Sequence, residues 1–188
     1  RVLHPAMKYA APVRQAIPVR TIFNLLGPLT NPAGVRRQLV GVPRPDLVER
    51  IAEALRRLGA VHVWVVHGAH GLCDLTITGP TAVVELCNGA LRGFTITPEE
   101  IGLRRGELND LRVRSPAESA ARMQAIFRGE RGPARDHALL NAGAALVVAG
   151  LVGNVNDGVT MARGAVDDGL AAAKLEQWRA VAGLPNRY

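Results

Sequence analysis

A chain of 188 residues with 48% hydrophobic side chains can bury a substantial core, and its mean hydropathy of +0.09 fits a water-soluble α/β protein better than a membrane-embedded one. The formal charge is +7, almost all of it from arginine, since Lys8 and Lys174 are the sole lysines. Those arginines fall singly or in pairs (Arg36-Arg37, Arg56-Arg57, Arg104-Arg105) and aromatics are only 4% of residues, which argues against a stacking surface for nucleic acid and favours a small anionic partner.

In chain order, residues 5–16 (PAMKYAAPVRQA) read as a helix, with Pro5 at a tolerated first-turn position and Pro12 kinking or splitting it. Residues 20–34 (RTIFNLLGPLTNPAG) begin like a buried helix and are expected to break at Gly27-Pro28 and again at Asn31-Pro32. Two breakers so close fit either a tight turn or a rigid backbone wall beside a ligand. Residues 37–42 are a strand candidate, and Pro45-Asp46 opens a helix to Leu58 whose apolar stripe is Leu47, Ile51, Ala54, Leu55 and Leu58. Gly59 ends that helix, and residues 61–66 (VHVWVV) form the β-branched run of a buried parallel strand. Strand, helix and strand make a βαβ unit.

Three short strands are expected next, at Leu75–Thr78, Ala82–Cys87 and Gly93–Ile96, as a hairpin or meander. After Thr97-Pro98-Glu99-Glu100 the chain is expected to turn helical and stay so. Ser115–Phe127 opens with a Ser-Pro-x-Glu cap, Arg135–Ala149 is small and apolar enough to be buried, and Asn156–Asp167 and Gly169–Val181 read as amphipathic helices. Gly129–Arg135 is the one flexible-looking connector, and no internal repeat is evident. The expected architecture is an open mixed or parallel sheet flanked by helices, one α/β domain over residues 1–188. Because the chain starts at Arg1 in what reads as the inside of a helix, it is expected to be the carboxy-terminal part of a longer protein.

No apolar run reaches the length of a membrane span and residues 1–20 lack the pattern of a signal peptide, so the cytoplasm is the expected compartment. Cys73 and Cys87 form neither a disulfide framework nor a C-x-x-C pair, and both are expected as thiols.

Four places hold residues able to carry chemistry. Arg14, ten residues after His4 and near a helix end, is either a solvated partner of the helix dipole or a guanidinium fork for a carboxylate. The second place is the Gly27–Pro32 segment. The third, His67-Gly68-Ala69-His70-Gly71-Leu72-Cys73-Asp74, follows a strand directly, where open α/β sheets form their ligand crevice. Its two histidines and cysteine match no zinc spacing. The fourth, Asn141–Leu146, has small residues of the kind that let helices pack closely.

The blocks HPAMKYAAPVRQAIPVRTIFNLLGPLTNPA, HGAHGLCDLTITGP and RDHALLNAGAAL, in that order and across nearly the whole chain, resemble anthranilate phosphoribosyltransferase. The resemblance implies the large α/β domain of that fold, with its helical amino-terminal domain and first strands lying upstream. It also implies the reaction: anthranilate's amino group displaces diphosphate from C1 of phosphoribosyl diphosphate (PRPP), with Mg2+ on the phosphates, in a homodimer serving tryptophan biosynthesis. No nucleophile or general base is implied. Arg14 would pair with the anthranilate carboxylate, His4 would line the same channel, and Gly27-Pro28 would form the wall beside the ring.

Two departures accompany the resemblance. The family's Gly-Thr-Gly-Gly-Asp phosphate loop and Lys-His-Gly-Asn segment are not in this chain, so these residues alone are expected to be inactive. Relatives carry Asp-Glu where this chain has Cys73-Asp74, which leaves Asp74 as the metal carboxylate and Cys73 a poor partner for a hard cation. His70 stands where relatives often have an acid. The alternatives are a transferase or phosphorylase of the same fold with another aromatic or nucleobase acceptor, and a non-catalytic paralogue binding nucleic acid.

Overall fold

The computed structural model describes residues 25–183. The expected helix over 5–16, with His4 and Arg14, lies outside them. In chain order the elements are α1 (Leu26–Leu29), β1 (Arg37–Gly41), α2 (Leu47–Arg57), β2 (His62–Gly68), β3 (Thr81–Cys87), β4 (Ala90–Ile96), α3 (Leu108–Leu111), α4 (Pro116–Phe127), α5 (Pro133–Ala149), α6 (Val155–Asp167) and α7 (Leu170–Val181). The strands form one mixed sheet in the order β1-β2-β3-β4, with β1 and β2 parallel and the other pairs antiparallel.

β2 is apolar on both faces because both are covered. Val63 and Val65 pack with Val40, Ile51 and Leu55 on the α2 side, whereas Trp64 and Val66 pack with Leu139, Leu140 and Ala144 of α5. The helix between the parallel strands forms as expected, but its buried stripe is Val48, Ile51, Ala52 and Leu55. Leu58, expected in that stripe, is 63% exposed. It is the C-cap residue, so it has left the helical period just before Gly59 turns the chain at φ +81°. Asp46 does not cap this helix, because its carboxylate is held by Arg44 at 2.7 and 2.8 Å.

The hairpin forms as expected. Asn88 and Gly89 both have positive φ (49° and 84°), the geometry whose twist matches the flanking strands. Leu75–Thr78, expected as a strand, is not one. Three of its backbone amides are instead bonded by side chains: Leu75 N–H donates to Asn141 Oδ1, Thr76 N–H to Thr81 Oγ1 and Thr78 N–H to Thr76 Oγ1, each at 3.0 Å. The continuous helical stretch expected after Thr97 is also interrupted. Gly102, left-handed at φ +68°, stops the 3-10 turn Glu99–Ile101. The following segment then runs beside the buried threonines, Gly106 N–H donating to the Ile77 carbonyl at 3.0 Å.

Ser115 caps α4 as expected, its Oγ accepting from Glu118 N–H at 3.1 Å. The Glu118 carboxylate accepts from Arg114 N–H at 2.7 Å, one residue beyond the reciprocal bond of a full capping box. α5 is buried but not wholly apolar, for the side chain of Arg135 is buried against Asp167 at the end of α6. The close packing read from the small residues 141–146 is present. A Cβ at Gly143 would lie 2.7 Å from Val159 N, and one at Gly158 would lie 2.4 Å from the Gly143 oxygen.

At the amino-terminal end of β2 the His62 ring is held on both sides. Arg37 Nη1 approaches Nδ1 at 3.3 Å, and Nε2 lies 3.0 Å from Glu85. A guanidinium only donates, so Nδ1 accepts and Nε2–H donates to the carboxylate. Trp64 Nε1 and Arg92 Nη2 complete the set on Glu85 at 2.9 and 3.0 Å. Burial raises the Glu85 pKa, but the three donors outweigh it and hold the group below its ordinary value.

Two outcomes follow from this packing. Gly143→Ala or Gly158→Ala forces two helix backbones apart and should cost roughly 1–3 kcal/mol net of the helix propensity gained. Gly164→Ala, on the same α6 with nothing within 4 Å, should instead be neutral or stabilise by up to about 1 kcal/mol; urea midpoints measure both. Because the folded pKa of Glu85 is depressed, its contribution is present above the ordinary carboxylate range and is lost as pH falls through the folded value. Glu85→Gln should therefore flatten the stability–pH curve below about pH 5, and an unchanged acid limb would rule that contribution out.

Candidate functional site

Parallel β1 and β2 end side by side, Gly41 in register with Val66. The chain leaves β2 through the 3-10 turn Ala69–Gly71, reverses at His70 (φ 61°) and Gly71 (φ 78°), and crosses back over the strand ends as Leu72-Cys73-Asp74. Two glycines permit the crossing. A Cβ at Gly41 would lie 1.5 Å from the Cys73 carbonyl oxygen, and one at Gly68 would lie 2.5 Å from that of Asp74. The Gly68 N–H also donates to the Leu72 oxygen at 2.8 Å. The crevice expected at the carboxyl ends of the strands is therefore where the motif HGAHGLCD lies.

His67 is used structurally: its Nδ1 donates to the Val42 carbonyl at 2.9 Å, tying the ends of the two strands together. His70 is exposed on the turn, and Cys73 and Asp74 are exposed on the crossing loop. Neither Cys73 nor the half-buried Cys87 is in a disulfide. Among the described residues, no group of three or more His, Cys, Asp or Glu side chains is placed to hold a metal by itself.

The crossing loop stands between two clefts. One, of about 330 Å³, is lined by Leu25 and Pro28 on one side and by Gly41, Val42, Pro43 and Cys73 on the other. The Gly27-Pro28 segment, of which Pro28 lines this cleft, departs from expectation, because it does not break the helix. The single turn α1 runs through both residues, and Pro28 falls in the first turn, where a missing N–H costs nothing. Leu25 and Leu29 anchor that turn to the α2-side core. The stop comes at Thr30, the C-cap residue, and Asn31 follows it in a turn in which its Oδ1 accepts from Ala33 N–H at 3.0 Å. Pro28 and Cys73 thus share one cleft, while Gly27 is exposed and has no neighbour that would meet a Cβ.

The second cleft, about 480 Å³, lies beneath α4 and is lined by Leu72, Asp74, Met123, Ile126, Phe127 and His137, among others. His137 Nδ1 is buried there without a hydrogen-bond partner. Burial pushes its imidazole pKa below the ordinary value, and the Asp74 carboxylate opposes that shift only in part. One helical turn further along α5, Asn141 accepts from Leu75 N–H at 3.0 Å and donates to the Leu75 carbonyl at 2.8 Å. The sequence singles out Asn141 only as the start of the small-residue run 141–146 and gives His137 no role, since Leu75 and Asp74 lie more than sixty positions away from them. Gly41 does carry a signal: a glycine within a strand can mark close approach of another backbone.

The model of the glycosyl transferase family, a/b domain, matches residues 1–172. Anthranilate phosphoribosyltransferase of Methylocella silvestris is 52% identical over 174 residues, 93% of this chain and 50% of that protein. The crystal structure of anthranilate phosphoribosyltransferase from Thermus thermophilus matches with a TM-score of 0.86 at 44% identity, covering 94% of this chain and 52% of that one. Anthranilate phosphoribosyltransferase from Saccharomyces cerevisiae in complex with PRPP and Mg matches at 0.81 and 25% identity, covering 92% and 50%. This chain spans about half the length of the relatives it matches. It belongs to the glycosyl transferase family, as a member of its α/β domain.

Proposed function

We propose that the protein carrying this chain transfers the phosphoribosyl group of PRPP to the amino group of anthranilate, releasing diphosphate, as a cytoplasmic homodimer in tryptophan biosynthesis. The observation that supports this most directly is the shared cleft. It sets a largely apolar wall at Pro28 against the crossing loop at Cys73, with Asp74 of the same loop facing the neighbouring cleft, an arrangement that suits a flat aromatic acid beside a phosphorylated sugar. The relatives' names point the same way, and among the described residues no helix is long and apolar enough to cross a membrane.

Magnesium fits the loop in a limited form. Asp74 is an exposed oxygen donor, whereas Cys73 is a soft thiol, so the loop offers one hard ligand. Such an ion commonly takes one or two carboxylates and completes its shell with substrate phosphate and water. Asp74 would hold it, and when bound it would supply charge neutralisation for the departing diphosphate.

The remaining work falls to the chain's own side chains. C1 of PRPP becomes cation-like as diphosphate leaves, so positioning and electrostatics, not a protein nucleophile, carry the reaction. Anthranilate's amine is already nucleophilic once it is aligned and shielded from water. Arg14 supplies the planar fork for its carboxylate, His4 lines the same channel, and Pro28, with Gly27 beside it, limits where the ring can lie.

In the full-length protein, Cys73→Asp adds a second carboxylate beside Asp74 and should lower the half-saturating magnesium concentration by about tenfold, equivalent to roughly 1.4 kcal/mol. An unchanged magnesium titration would remove position 73 from the metal's surroundings. Arg14→Ala tests the reaction itself. Wild-type protein should consume anthranilate and PRPP with equimolar diphosphate release. The variant should lose roughly 2–5 kcal/mol of transition-state stabilisation, about one and a half to three and a half orders of magnitude in kcat/KM for anthranilate. KM for PRPP should stay nearly constant, and Arg14→Lys should recover only part of the loss because an ammonium lacks the planar fork. Unaltered anthranilate kinetics in Arg14→Ala would refute the carboxylate role, and no turnover by the wild type would refute the reaction.

A further inference from the structure

Asn141 spends three of its four hydrogen-bonding positions on two backbone residues. Its amide oxygen accepts from Leu75 N–H at 3.0 Å, and its nitrogen donates to the carbonyls of Leu75 at 2.8 Å and His137 at 3.0 Å. The orientation of the amide is fixed by its partners, because a flipped group would set donor against donor at Leu75 and acceptor against two carbonyls. Gripping both polar groups of one residue does what a neighbouring strand would do. It fixes Leu75 in position and in direction.

Leu75 directly follows Asp74. Its side chain is 0% exposed and sealed in the α5-side core, whereas Asp74 is exposed on the cleft. The other flank of the loop is fixed at Gly68, which bonds Leu72. Cys73 and Asp74 are therefore the exposed pair between two pinned residues, Leu72 and Leu75, and the pin next to Asp74 is a side chain from a helix. That helix is itself immobilised. Gly143 abuts Gly158 of α6, Arg135 pairs with Asp167, and Arg37 donates to the Val148 carbonyl at 2.9 Å.

We infer that Asn141 is a positioning residue, which aims the Asp74 carboxylate at the metal–diphosphate end of the substrate without touching either. This rests on the proposed role of Asp74 as the metal carboxylate. Outer groups that orient a metal's carboxylate typically account for about 10–100-fold in metal affinity.

The test uses full-length protein and magnesium with inorganic diphosphate, titrated by calorimetry. Asn141→Ala should weaken binding roughly 10–100-fold. Leu86→Val, which destabilises the separate α2-side core without touching Leu75 or α5, should leave the affinity unchanged at a temperature where both variants are folded. A second measurement needs no variant. If holding Leu75 favours binding, binding must by linkage favour holding Leu75, so magnesium diphosphate should slow amide exchange at Leu75 in the wild type. Equal affinities for Asn141→Ala and Leu86→Val, or exchange at Leu75 indifferent to magnesium diphosphate, would overturn the inference. Wild-type protein that shows both effects yet makes no phosphoribosyl-anthranilate would refute the proposed reaction and leave the positioning role standing. Wild-type protein that does not bind magnesium diphosphate would overturn the positioning role along with that of Asp74.

Discussion

The 1.5 Å that would separate a Cβ at position 41 from the Cys73 oxygen is the constraint on which the site depends. Parallel pairing of β1 and β2 brings two strand ends level, and a loop can lie across them only where neither strand carries a side chain upward. Gly41 and Gly68 provide that floor. With the loop seated directly on backbone, Cys73 and Asp74 project from a surface that cannot give way beneath them, and the clefts on either side take their positions from the same contact. A larger residue at either glycine would lift the loop and change both clefts together.

The loop's chemistry carries its own consequence. One hard oxygen donor is too few for a magnesium site built from protein alone, and none of the described His, Cys, Asp or Glu side chains gathers to complete one. On the proposed reading, affinity for the metal then depends on the phosphates that arrive with it. Metal and PRPP would enter as a unit, and the wall at Pro28 would accept the second substrate independently. The remaining ionic features do little for the site. Glu53, drawn down to about 2 first by its hydrogen bonds from Arg56 and Arg57, lies on the exposed face of α2, where ion pairs contribute little.

What could be read from the sequence was whatever has a period or a local partner. The β-branched run of β2, the helix after Ser115 and the small-residue surface of α5 each declare themselves within a few positions. So does the crevice, because a His- and Gly-rich stretch directly after a buried strand has one usual place in an α/β sheet. Leu75–Thr78 could not be read. Its alternation imitates a strand, yet its hydrogen bonds go to Thr81, to its own threonines and to Asn141, sixty-six positions away. Gly27-Pro28 misleads for a different reason: breakers stop a helix only beyond its first turn, and α1 has barely more than one. The roles of Arg14 and His4 rest on the resemblance alone, since neither lies among the described residues.

The same irregular segment explains why the site can be rigid without being part of the sheet. Leu75, Thr76, Ile77 and Thr78 are all buried, which for a non-ladder backbone is tolerable only if every polar group finds a partner. Asn141 serves Leu75, the hydroxyls of Thr76 and Thr81 serve the amides of Thr78 and Thr76, and Gly106 serves the Ile77 carbonyl. These partners come from α5, from β3 and from the segment after β4, so three parts of the chain converge on four residues. Placing a functional carboxylate at the edge of such an over-determined segment gives it a fixed backbone and a solvent-facing side chain. A group that must meet a mobile, highly charged substrate without reorganising needs that combination. A regular strand would supply the rigidity, but its flanking ladder would leave no gap through which helix α5 could reach the residue beside Asp74.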